Sequence, residues 1–200
     1  MRRGFAPDFR MNLKDRKMDK VLIANIIIVV LEIIGFSVCR SRGFEMLIFY
    51  TQLSNLVTLI SSVCLIISRG SALTVTLRYL STVMLTMTVL ITLAVLIPMG
   101  AGFANMMLSG MGLFHHTLCP LISITSYMLW ERHSAMWGVP VAVTFVYGVA
   151  MLVLNNKGIV DGPYPFLRVR YQSVKATVIW MAALTMLITA LSFGVTCIAK

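Results

Sequence analysis

Charge is what this sequence has least of. Only 12% of its 200 residues are Asp, Glu, Lys or Arg, and the 52 residues between Arg78 and Glu131 include none. A water-soluble domain carries about twice that charged share, so a soluble core with a solvated coat is excluded. An apolar content of 58% also excludes a disordered chain. Histidine is scarce, with three residues, and cysteine nearly so, with Cys39, Cys64, Cys119 and Cys197 all in or beside apolar runs. These cysteines read as small buried hydrophobes rather than as a disulfide framework or a metal cluster. No HExxH, Walker, GxGxxG or GxSxG motif is present, and the adjacent His115 and His116 diverge on a helix. Neither a metal site nor a cofactor is therefore expected. The 15 methionines are scattered through the apolar runs and read as flexible packing. Low-complexity segments, globular insertions and a convincing internal repeat are missing too.

What the sequence does have is apolar residues in runs long enough to cross a bilayer. The spacing predicts six spans, at 21–39, 46–68, 79–98, 111–130, 135–154 and 176–198, each near the ~20 residues that the hydrocarbon requires. The uncharged stretch is too long for one helix and is divided where Pro98, Gly100, Gly102, Gly110 and Gly112 cluster. The expectation is an all-α polytopic membrane protein, with a basic tail at 1–20 and one six-helix transmembrane domain at 21–200. The first run should remain as a span, because its basic and apolar regions are too long for a cleavable signal and no small-x-small site follows.

The net charge of +10 is placed between the runs. Seven of the 17 Lys and Arg precede the first span, which places the tail and both termini in the cytoplasm. Arg69, Arg78, Arg132 and Lys200 then join the tail on the inside, and Arg40, Arg42, Lys157, Arg168, Arg170 and Lys175 fall outside, a tally of 11 to 6. The basic charge lacks the soluble face or groove-reading helix that nucleic acid would need.

Polar side chains inside spans must find partners, so their positions carry information. Thr51, Ser54, Asn55, Thr58 and Ser62 lie at helical spacing on one face of the second span. Asn25, Glu32, Gly35 and Cys39 do the same on the first, and Glu32 is the only carboxylic acid well inside a span. In the fourth, His116, Cys119, Pro120, Ser123 and Tyr127 share a side, with His115 about 100° around the helix. Pro120 has no N–H, so the His116 carbonyl should lose its helical partner and the helix should kink below the histidines. Counted from the outer ends of their spans, Thr51, His116 and Glu32 sit about 7–11 Å deep, in one layer, and Tyr147 can approach it.

Three segments carry a family resemblance: Phe49-Tyr50-Thr51-Gln52-Leu53-Ser54-Asn55-Leu56, His116-Thr117-Leu118-Cys119-Pro120-Leu121 and Gly162-Pro163-Tyr164-Pro165-Phe166-Leu167. With six spans in about 200 residues, the chain resembles the bacterial "Pr-six-Pr" membrane proteins. These are similar to the eukaryotic androgen-induced family of intramembrane threonine hydrolases, which cleave fatty acid esters of hydroxy fatty acids with one Thr and one His. The resemblance implies a multi-pass protein of the bacterial plasma membrane. It places the Thr on Thr51 and the His on the His115–His116 pair. The spacing to Pro120 in bacterial members selects His116, whereas a spacing one residue longer, as in eukaryotic members, selects His115.

The expected activity is hydrolysis of a membrane lipid ester, with Thr51 as nucleophile and His116 or His115 as general base. Gln52, Ser54 or Asn55 would donate to the oxyanion and Glu32 would orient the imidazole. The Pro163-Tyr164-Pro165-Phe166 segment reads either as a cap on the outer mouth or as an interfacial belt loop. A small transporter or lipid-binding protein using the same polar layer is the alternative, with Glu32 or His116 carrying a proton. A non-catalytic scaffold is a third reading. The sequence does not fix the substrate or the oligomeric state.

Overall fold

The computed structural model describes residues 13–39, 45–133 and 135–199. Among them the protein is helical, without strands. Arg2, Arg3, Arg10, Arg40, Arg42 and Lys200 of the charge tally lie outside the described residues. We label the helices α1 (Leu13–Cys39), α2 (Tyr50–Ile67), α3 (Ala72–Ala101), α4 (110–131), α5 (Gly138–Asn156) and α6 (Val174–Ala199). All but α4 are single runs long and apolar enough to cross a membrane. Helix α4 alternates α-helical turns with wider π-helical turns at Leu113–Leu118 and Tyr127–Glu131.

The burial pattern is that of a protein dissolved in lipid. Ile23, Ile26, Ile27, Val30, Ile33 and Ile34 point outward from α1, whereas Asn25, Glu32, Ser54, Asn55, Thr58, Ser61, Ser62 and Ser123 are wholly buried. An apolar exterior costs nothing in hydrocarbon, while every polar group there must be satisfied internally. Helix α2 follows from this rule: its polar stripe faces inward between α1 and α3. Helix α4 packs on α1, α2 and α3 and closes a four-helix group. Helices α5 and α6 form a pair that leans on α3 from the other side.

The ends of the helices follow local chemistry. Chain reversal after α2 uses Gly70 at φ 83°, and Ser71 caps α3 by accepting the Thr74 N–H at 3.1 Å. Pro98 lies inside the last, π-helical stretch of α3, and Gly100 ends it at φ 100°. The short turn Ala104–Leu108 then packs so tightly on α4 that a Cβ at Gly112 would lie 2.3 Å from the Met106 carbonyl oxygen.

Two sequence expectations are corrected here. Arg78 is not a loop charge: α3 begins at Ala72, and Arg78 is 1% exposed in its second turn. Its guanidinium donates to both Glu131 carboxylate oxygens, at 2.7 and 2.8 Å, and Nη1 donates to Ser123 at 3.2 Å. A charge marks the end of a span only while it is unpaired. The carbonyl freed by Pro120 is that of His115, not His116. Across the π-helical turn, hydrogen bonds reach back five residues, as Cys119 N–H to Phe114 O does, so the acceptor left open moves one residue toward the N-terminus.

Candidate functional site

Thr51 stands in the first turn of α2, where backbone N–H groups have no helical acceptor. Its own N–H donates to the Tyr164 hydroxyl at 3.3 Å, and its Oγ1 lies 3.4 Å from the same oxygen. The Thr51 carbonyl accepts from Asn55 at 2.7 Å and from Ser54 at 2.9 Å. Thr51 is thus held from both sides, and the positive end of the α2 dipole lies beside its hydroxyl.

The loop 157–173 supplies Tyr164 by folding inward. Tyr164, Phe166 and Leu167 are buried, and Tyr164 stacks on Phe166 with ring centroids 5.2 Å apart. Phe49 meets the Tyr164 ring edge-on at 6.1 Å. Pro163 and Tyr164 line the cavity that Thr51 faces. Burial raises the Tyr164 phenol above its ordinary ionisation range, so it stays protonated at neutral pH.

The two histidines part company. His115 is wholly buried against α1, with Nε2 3.4 Å from a Glu32 oxygen and its ring tilted against Phe36 at 4.7 Å. Gly35 makes room for it: a Cβ there would lie 2.3 Å from His115 Nε2. His116 turns toward α3 instead, and its Nδ1 lies 2.9 Å from Thr92 Oγ1. Both rings are buried, His115 on the α1 side and His116 on the α3 side.

Thr51 and His116 line one cavity of about 410 Å³, with Gln52, Asn105, Ser109 and Tyr164 in its wall. Among the described residues the two share no hydrogen bond; they face the same space. A second, apolar crevice of about 50 Å³ also reaches Thr51 and Tyr164, between α3 and the α5–α6 pair. Through Phe145, Met181 and Thr185 it adjoins an apolar groove of about 870 Å³ between α5 and α6. Thr51 therefore sits where a chamber of mixed lining and an apolar crevice meet.

The supporting residues divide as follows. Glu32 lies against His115, at 3.4 Å and without a hydrogen bond, and not against His116. Asn55 Nδ2 is occupied by the Thr51 and His115 carbonyls, at 2.7 and 3.1 Å. Ser54 is occupied by the Thr51 carbonyl and by Thr88 at 3.0 Å. Gln52 faces the chamber with one soft partner, the Met111 sulfur at 2.9 Å. Tyr147 donates to the Ile48 carbonyl at 2.7 Å and lines the crevice. Sequence reasoning missed Thr92, whose only signal was its place one turn after Thr88 on α3, and Tyr164 as a partner of Thr51. No family model, curated protein or solved structure matches this chain.

Proposed function

We propose that the protein is an intramembrane hydrolase of lipid esters, with Thr51 as nucleophile and His116 as general base. The observation that carries this reading is the position of Thr51, which shares a cavity of mixed polar and apolar lining with His116 and touches an apolar crevice that adjoins the groove between α5 and α6. The resemblance to threonine hydrolases in the Thr51 and His116 segments supports it. In this reading α4 is a sixth span, both termini are cytoplasmic, and the Thr51 layer lies toward the outer leaflet of a bacterial plasma membrane.

Thr92 sets the chemistry of the base. With Nδ1–H donating to Thr92 Oγ1, Nε2 of His116 is left as an acceptor. It takes the Thr51 hydroxyl proton as Oγ1 bonds to the ester carbonyl carbon. Negative charge on the carbonyl oxygen is met by the α2 N-terminus, by the Gln52 amide and by the Tyr164 hydroxyl. The C–O bond to the leaving alcohol breaks, and the alcohol takes the proton from His116. Water, deprotonated by the same nitrogen, then attacks the acyl carbon, the bond to Thr51 Oγ1 breaks, and His116 returns the proton to Oγ1 as the acid leaves.

Labelling with a fluorophosphonate probe in detergent tests this. Wild type should form an adduct on Thr51, Thr51→Ser should retain it, and His116→Ala should slow it by about 10²-fold or more. An adduct that persists in Thr51→Ala, or none on folded wild type, overturns the reading. The buried Glu32–His115 pair favours a second reading, a proton-coupled transporter. It expects uptake into vesicles that Glu32→Gln abolishes and Thr51→Ala leaves intact.

A further inference from the structure

At the end of the bundle opposite Thr51 a second cavity, of about 340 Å³, opens between the start of α1, the α2–α3 turn and the end of α4. Its wall is divided by chemistry. Lys17 and Arg69 are exposed at the rim, and His133 stands beside them. Arg78 lies buried in the lining, yet its charge is neutralised by Glu131. Among the described residues of the wall, Lys17 and Arg69 have no carboxylate beyond the Glu131 already paired with Arg78. Ser71 and Thr74 bring the positive end of α3 to the same place. The rest of the lining is apolar and includes Met18, Val21, Leu65, Val75 and Trp130. Lys20 lies 5.8 Å above the Trp130 ring, adding a third cation beside the rim.

A chamber with cations at its mouth and hydrocarbon on its walls fits a ligand that is anionic at one end and apolar at the other. Basic pockets between transmembrane helices at a membrane face hold lipid headgroups by this chemistry. We propose that this cavity binds the phosphate headgroup of an anionic phospholipid from the leaflet on its own side. Lys17 and Arg69 contact the phosphate, while Met18, Leu65 and Val75 cover the glycerol and the first acyl carbons. The Arg78–Glu131 pair forms a rigid, uncharged floor that does not compete for the anion. The site stands apart from Thr51 and does not depend on the hydrolase reading.

Native mass spectrometry of the full chain in detergent, with added phosphatidylglycerol or phosphatidylcholine, tests the proposal. One phosphatidylglycerol should bind at least about tenfold more tightly than phosphatidylcholine, and Lys17→Gln with Arg69→Gln should erase the difference. Both substituted residues are exposed, so the fold tolerates the change. Lys157→Gln with Lys175→Gln, at the other end, should leave binding unchanged. Equal binding of the two lipids, an equal loss in the Lys157/Lys175 variant, or full retention in the Lys17/Arg69 variant overturns the assignment. Displacement of the lipid by millimolar glycerol phosphate or inorganic phosphate overturns the lipid as occupant and leaves a soluble phosphate site.

Discussion

Asn55 of α2 donates to the His115 carbonyl of α4 at 3.1 Å, supplying from a neighbouring helix the hydrogen bond that Pro120 cannot. The same amide group reaches the Thr51 carbonyl at 2.7 Å. One side chain thus ties the turn carrying the proposed nucleophile to the turn carrying both histidines.

Replacing Asn55 with Leu leaves both carbonyls without that donor and should lower stability by about 1–3 kcal/mol. Resistance to unfolding in mixed detergent micelles measures it. A stability equal to that of wild type would show that the bridge does not hold the two helices together.

Thr92→Val keeps the shape of the side chain and removes the hydroxyl beside His116 Nδ1. Probe labelling at Thr51 should fall by about tenfold or more, with a stability loss of about 1–3 kcal/mol for the unpaired Nδ1–H, and Thr92→Ser should restore both. Loss of labelling in both variants, or in neither, would remove Thr92 from its positioning role.

Gly35→Ala would place a methyl group where His115 Nε2 now lies, so the ring must move and its contact with Glu32 must break. The expected loss is about 1–3 kcal/mol, as in overpacked cores. Gly35→Ala combined with His115→Ala should recover much of it in the same unfolding assay. Failure of that rescue would place the strain elsewhere.

Arg78→Met or Glu131→Met alone leaves a buried charge unpaired and should cost about 3–5 kcal/mol, whereas the double replacement should cost far less. Thermal stability of the four proteins gives the coupling directly. Additive losses would mean that the pair contributes no more than its separate side chains.

The sequence made the inward faces readable because helical periodicity is local. Thr51, Ser54, Asn55, Thr58 and Ser62 fall on one stripe by spacing alone, and all five are buried. Counting turns predicts that Glu32, Thr51 and His116 lie near one another; Glu32 meets the histidine turn at His115, and Thr51 and His116 line one cavity. What spacing could not give is partner choice. Tyr164 reaches Thr51 from 113 residues away, and nothing in a loop motif states which helix end it will cover. Thr92 looks like any threonine in an apolar helix. The π-helical turn at Leu113–Leu118 was invisible as well, and it decides which carbonyl Pro120 frees.

The Arg78–Glu131 pair bears on how the chain enters the membrane. It joins the early part of α3 to the last turn of α4, and the 52 residues between its members carry no charge at all. Until Glu131 has left the ribosome, Arg78 is a lone cation on an otherwise inserting helix, which the bilayer resists. With Glu131 beside it, the pair carries no net charge. The start of α3 and the end of α4 are thereby fixed to each other, and neither charge can be removed without leaving the other unpaired in an apolar interior.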